Sequence, residues 1–221
     1  MLHSHGVDDP EPRWPAVLAI LAATALHFSL PPQLRFGRPG IAAGTVIALV
    51  AVAYAARARH HHRINEIAGW LILAELAGGL LYGVGALIMG LVAHSVPAEA
   101  LLRAAAVLWA DNCIVFAVCY WRLDGGGPNE RERRKAHTSG AFLFPQMAAP
   151  SPGGSGKTIA EAEGWRPGFV DYLFLAFATS TAFSPTDVLV LSRWGKGAMM
   201  IQAIIAFTTV VLIVGRGVNI L

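Results

Sequence analysis

Six apolar stretches run through this chain, and their lengths limit its folds more than any other feature. They cover residues 14–30, 41–58, 67–92, 98–121, 169–191 and 198–219. A bilayer core of about 30 Å is crossed by roughly 20 helical residues. A backbone with no water around it satisfies its own N–H and C=O groups only in a helix or a closed barrel. Charged residues make up 14% of the 221 positions, against about 25% in a soluble domain, and the mean hydropathy is +0.52. The expected fold is all-α. It is a polytopic membrane helix bundle of about six transmembrane helices, the fifth of them broken or re-entrant.

The punctuation between the stretches agrees. Pro31-Pro32 ends the first, and Pro39-Gly40 precedes the second, which closes on Arg57, Arg59, His60, His61, His62 and Arg63. Trp14, Trp70, Trp121 and Trp194 fall near span ends, where amphipathic rings favour the interface. Four regions follow: a polar tail (1–13), a four-span region (14–121), a flexible Gly/Pro/charged loop (122–168) and a final pair of apolar segments (169–221). The tail has no basic n-region, so the first stretch is read as a retained span and not a cleaved leader. The fifth stretch is interrupted by Ser184-Pro185-Thr186-Asp187, since proline removes a backbone donor and disturbs the preceding turn.

Basic residues collect on the cytoplasmic side of a membrane protein. Six crossings with both termini inside put twelve of the 17 Lys and Arg in the cytoplasm and five outside. Treating the fifth stretch as re-entrant, with the C-terminus held inside, leaves only Arg35, Arg38, Arg103 and Arg216 inside. The count favours six crossings in the cell (inner) membrane, both termini cytoplasmic.

Net charge is +3 with a pI near 9.1, and both come from Arg-rich loops, so they report topology and no nucleic-acid surface. The run from Ser151 to Thr158 imitates a phosphate-binding loop but opens on Ser instead of Gly and lacks a preceding strand, so no nucleotide is expected. Adjacent His60, His61 and His62 point different ways on a helix and are read as a solvated surface patch. Cys113 and Cys119 are six residues apart, on different helix faces, and are read as buried thiols. No metal, cofactor or enzyme activity is expected. The expected partners are the lipid bilayer and, as an open option, further copies of the chain.

Acids within spans need a partner, a proton or water. Glu75 lies in WLILAELAGGLLYGVGAL, and Asp111 with Asn112 in AVLWADNCIVFAV. The two spans are antiparallel, so the acids sit at similar depth and are placed to face each other. Gly79 and Gly83 follow Glu75 at i+4 and i+8, a stripe that lets a neighbouring helix approach and turns Glu75 inward. Two nearby carboxylates do not both ionise cheaply. They make either a proton or cation relay, or a protonated acid bonded to Asn112 or a carbonyl as structural glue. Thr24 and His27 are packing hydrogen-bond candidates, and Gln202 reads as an interface residue. Thr179, Ser180, Thr181, Ser184, Thr186 and Asp187 form a polar cluster around Pro185, read as either a mouth or a capped helix end. Together these residues suggest a small permeation or transport protein, with a non-transporting scaffold as the competing reading.

Two resemblances attach to the C-terminal half. Phe144-Pro145, Asp171-Tyr172-Leu173-Phe174, Thr186-Asp187, Ser192-Arg193 and Val218-Asn219 resemble, in order and spacing, an uncharacterised bacterial multi-pass membrane protein family of unknown function. That resemblance implies a membrane fold and no activity. Ala176-Phe177, Ser180-Thr181 and Asp187 resemble the pore helix, filter threonines and trailing aspartate of a potassium-channel pore module. Phe183, Ser184 and Pro185 stand where Gly-Tyr-Gly would be, so the resemblance implies a channel-like layout without a potassium filter.

Overall fold

The computed structural model describes residues 11–93, 96–134, 140–152, 156–181 and 187–220. The chain is all-α apart from one short strand pair. Helices α1 (Trp14–Ser29), α2 (Pro39–Ala58), α3 (His62–Val92) and α4 (Ala98–Leu123) follow in order. Short elements come next: α5 (Pro128–Arg134), β1 (Phe142–Leu143), α6 (Pro145–Ala148) and α7 (Ile159–Glu163). Helix α8 (Phe169–Thr181), β2 (Leu189–Val190) and α9 (Arg193–Ile220) complete the fold. Four helices, α2, α3, α4 and α9, are long and apolar enough to cross a membrane, whereas α1 and α8 are shorter apolar helices.

The burial pattern is that of a membrane helix. On α9, Met200, Ile201, Ile204, Phe207, Val211 and Val214 face outward, while Gln202, Ile205, Ala206 and Thr209 are buried. A soluble protein rarely exposes so continuous an apolar stripe, and this one turns its polar groups inward instead. Because lipid is as apolar as leucine, packing and hydrogen bonds between helices replace the hydrophobic drive.

Helix α4 is the hub. It packs on α1, α3, α8 and α9, while α2 packs on α3 and α1. Small residues set the close approaches. A Cβ on Gly83 would stand 2.7 Å from a Leu108 methyl of α4, so glycine there lets α3 and α4 meet. At the turn between α2 and α3, His60 takes a left-handed φ of 58°.

One end of the bundle gathers the basic residues. Arg13 and Arg57 both bind Glu132, at 3.1 and 2.9 Å, and Arg122 reaches across to the Glu66 carbonyl. The 122–168 stretch, expected as a flexible loop, begins with a tight turn on this end. Gly125, Gly126 and Gly127 all have positive φ, and a Cβ on Gly127 would meet the Arg122 carbonyl at 2.7 Å. The turn carries Arg131 back beneath α4, where its Nη1 donates to the Trp121 and Asp124 carbonyls at 2.8 and 2.6 Å. Those are carbonyls that a helix end leaves without intrahelical donors. Further along, β1 pairs antiparallel with β2, Phe142 opposite Val190 and Leu143 opposite Leu189, and Leu191 N–H adds a bond to the Ala141 carbonyl.

Candidate functional site

Thr24 and His27 of α1, Glu75 of α3 and Asp111 of α4 line one half-open cavity between the helices, with Ala42, Val46 and Gly79. Thr24 and His27 lie 11 and 14 residues past Arg13, Glu75 lies 13 past His62, and Asp111 lies 12 before Leu123. At 1.5 Å per residue each is about 17–21 Å from the basic end of the bundle. Glu75 and Asp111, expected to face each other at similar depth, line the same cavity, together with two α1 residues read from the sequence as packing groups. Helix α3 passes close to His27 at Gly79, where even a Cβ would reach ordinary contact with the ring at 3.6 Å.

The polar groups around the cavity are unequally satisfied. Thr45 Oγ1 donates to Glu75 Oε1 at 2.8 Å, His27 Nε2 lies 3.5 Å from the Phe36 carbonyl, and Thr24 Oγ1 donates to the Ile20 carbonyl at 2.8 Å. Asp111 is 5% exposed, and its Oδ1 has no hydrogen-bond partner among the described residues. A buried carboxylate oxygen without a donor is costly. The cavity holds about 30 Å³ of water-sized room, and a single water needs roughly 10–15 Å³ by that measure. It therefore suits one or two waters or a small cation, not an organic molecule.

Asn112 points the other way, into a buried node joining α4, α8 and α9. Its Nδ2 donates to Ser180 Oγ at 3.4 Å and to the Gln202 carbonyl at 3.2 Å. Gln202 Nε2 donates to the Ala176 carbonyl at 2.6 Å and to Ser180 Oγ at 2.9 Å, and Tyr120 Oη donates to Gln202 Oε1 at 2.6 Å. Asp111 and Asn112 are neighbours in sequence that serve opposite sides of one helix. The alternative in which Asp111 bonds to Asn112 finds no such bond in the structure.

The expected polar cluster divides. Ser180 joins the node, and Trp109 Nε1 donates to its carbonyl at 3.4 Å. Thr179 and Thr181 turn their hydroxyls back onto α8, bonding the Leu175 and Phe177 carbonyls. Asp187 is exposed. Ser184 and Thr186, like Phe183 and Pro185, lie outside the described residues.

Three polar residues central to the structure drew little or no attention in the sequence. Gln202 is fully buried at the node. Asp124, also fully buried, accepts from Ala141 N–H and from Tyr172 Oη, the latter at 2.7 Å. Arg131 binds Glu11 at 3.0 Å and lies over the Tyr172 ring at 5.4 Å. The sequence signal was present for Gln202, an amide within the apolar run that opens at Ala198. For Asp124 and Arg131 it was masked by surroundings that read as loop.

Comparison with protein-family models, curated proteins and solved structures found no match to this chain.

Proposed function

We propose that this chain is a small multi-pass protein of the cell membrane that moves a proton or a small cation through its interior, by way of Asp111 and Glu75. The observation that carries this reading is the cavity itself. Two acids and a histidine from three helices, far apart in sequence, line one space too small for an organic substrate. An ionisable group at such a depth calls for a proton, a cation or water, and the Asp111 Oδ1 without a partner is the place for it.

In this reading α1–α4 and α9 cross the membrane, and α8 enters and returns on one side. Three features support the re-entrant course. Helix α8 has 13 residues, about 20 Å of length, less than the bilayer core. Its last turn, at Ser180, reaches only the level of Asn112, halfway along α4. Beyond it, β2 is hydrogen-bonded to β1 of the stretch that precedes α8. The basic-residue count supports the same course when it is anchored at the N-terminus. Of the 17 Lys and Arg, only Arg35, Arg38, Arg103 and Arg216 then fall on the opposite side, leaving thirteen on the cytoplasmic side. That is a stronger bias than six crossings give, and it moves the C-terminus outside. The layout parallels a channel pore module in order, with the opposite orientation from one whose C-terminus stays inside.

The full chain in liposomes with an internal pH-sensitive dye tests the activity. Under an imposed pH gradient and membrane potential, the wild type is expected to dissipate the gradient, and Asp111→Asn and Glu75→Gln to fall to background. Equal flux through all three proteins rejects the acids as carriers.

The Asn112–Ser180–Gln202–Tyr120 node favours a second reading, a scaffold whose polar groups only hold helices together, because its members bond to one another across three helices, although Asn112 Oδ1 has no partner among the described residues. Leu76 lines the cavity and separates the two. In a background lacking Cys113 and Cys119, a cysteine at position 76 reacts with a water-soluble thiol reagent if water reaches the cavity. Complete protection in the membrane favours the scaffold.

A further inference from the structure

A second site lies at the basic end, away from the acid-lined cavity. Arg13 precedes α1, Arg57 lies in the last turn of α2, and Arg122 lies in the last turn of α4. Together they line one cleft with Tyr54, Asn65 and Trp121. Among the described residues no acid lines this cleft. Glu132 binds Arg13 and Arg57, while Arg122 holds the Glu66 carbonyl and lies 5.8 Å over the Trp70 ring. Even so, Arg13 Nε, Arg57 Nη1 and Arg122 Nε are buried with no partner among the described residues. The cations are under-compensated. Burial pulls the Arg13 guanidinium down to about 10, with Glu132 opposing the shift and Arg57 adding to it.

Glycine shapes the cleft. A Cβ on Gly69 would fall 2.1 Å from the Arg122 guanidinium, so the bare backbone of α3 is what that guanidinium lies against. Deeper in, the lining turns apolar at Val17, Ile20 and Val50. At Val50 and Tyr54 the cleft continues into an outward-facing groove of Leu21, Ile47, Ala51 and Ala55. Val50 and Ile47 lie 7 and 10 residues before Arg57, about 10 and 15 Å deeper along α2. The cleft has about 70 Å³ of water-sized room and the groove about 500 Å³. A compact anion with a long apolar tail matches both the charge and the shape.

We infer that this cleft binds an anionic phospholipid of the cytoplasmic leaflet, its phosphodiester among Arg13, Arg57 and Arg122 and one acyl chain along the Val50–Ile47 groove. A free anion would leave the groove unused, and a zwitterionic lipid would bring its ammonium up against the three arginines. Basic pockets between membrane helices on the cytoplasmic side are suited to such headgroups. The site is independent of any flux through the Asp111 cavity.

The test uses the full chain, stripped of lipid in detergent and titrated with dioctanoyl-phosphatidylglycerol by native mass spectrometry, with thermal shift in parallel. Saturable single-site binding and a raised melting temperature are expected, with dioctanoyl-phosphatidylcholine binding far more weakly. The double variant Arg57→Gln/Arg122→Gln is expected to lose about thirtyfold in affinity, from two arginine contacts. Val50→Trp fills the groove, leaves the arginines in place and is expected to abolish binding. Should the double variant fail to fold, Gly69→Ala serves instead. It displaces only the flexible guanidinium of Arg122 and is expected to weaken binding about fivefold. Equal binding of the two lipids, or unchanged affinity in Gly69→Ala and Val50→Trp, overturns the inference. Competition by inorganic phosphate at lipid concentrations overturns it too, in favour of a small-anion site.

Discussion

Gln202 is one side chain with three side-chain hydrogen bonds, in a helix otherwise turned toward lipid. It accepts from Tyr120 and donates to Ser180 and to the Ala176 carbonyl. Replacing it with leucine leaves the Tyr120 hydroxyl and the Ala176 carbonyl buried without that partner. The carbonyl keeps its intrahelical donor within α8, whereas the hydroxyl is left unsatisfied, at a cost of about 1–3 kcal/mol. Ser180→Ala removes weaker bonds, and single side-chain bonds between membrane helices average about 0.6 kcal/mol. Gln202→Leu is therefore expected to lower the midpoint of denaturant unfolding in micelles clearly, and Ser180→Ala only slightly. A Gln202→Leu protein as stable as wild type would mean that the node does not hold α9 to α4. Asp111 differs in kind. Its neighbour Asn112 is spent on the node, so the acid is left facing the cavity. The sequence shows both residues, and the 3.6-residue period separates their faces, but it does not show which neighbour each face meets.

At the scale of elements, the long helices begin and end close to where proline and the arginine runs place them. The agreement follows from local chemistry, since Pro39 stands at the start of α2 and Arg57 in its last turn. Helix α7 is just as local. Thr158 and Glu161 form a reciprocal capping box, with the Thr158 N–H to Glu161 Oε2 bond at 2.9 Å and the Glu161 N–H to Thr158 Oγ1 bond at 3.3 Å. Bonds from the Thr158 backbone and side chain hold the exposed Glu161 carboxyl below its usual range, and Lys157 adds to this. A depressed carboxylate contributes fully above its unfolded value and loses that contribution as pH falls through the folded one. Protection of the Thr158 amide against hydrogen exchange, taken relative to its intrinsic rate at each pH, is expected to fall in acid in the wild type, because that amide donates to the Glu161 carboxylate. Thr158→Ala is expected to remove the protection of the Glu161 amide at every pH. A wild-type Thr158 protection that does not change with pH would mean the box does not form in solution. Helix α8 was the element least legible in advance. Its stretch is apolar from 169 to 191, yet the helix is described only as far as Thr181, and Leu189–Val190 pairs with a strand. The partner strand lies about 47 residues earlier, and no local pattern announces a pairing over that distance.

At the scale of the whole molecule, the strand pair and the arginine network tie separate segments together. Arg13, Arg57 and Glu132 come from three parts of the chain and meet in one ion-pair cluster. With α8 re-entrant on the basic end, a reporter fused after Leu221 is expected to give an external signal in intact cells, and one inserted after Gly156 an internal signal. A cytoplasmic C-terminal reporter restores six crossings and removes the re-entrant course of α8, while leaving the Glu75–Asp111 cavity in place.

The sequence by itself determined that this chain is all-α, where its long helices lie and that four of them are apolar enough to suggest a membrane location. Those properties come from run length, turn residues and charge, which act over a few residues at a time. Only the tertiary structure decided that Thr24, His27, Glu75 and Asp111 surround one cavity, that Asn112 turns away to Ser180 and Gln202, and that β2 returns to β1. Each of these is a contact between helices or strands far apart in the chain, and it depends on which faces pack, a choice that local periodicity leaves open.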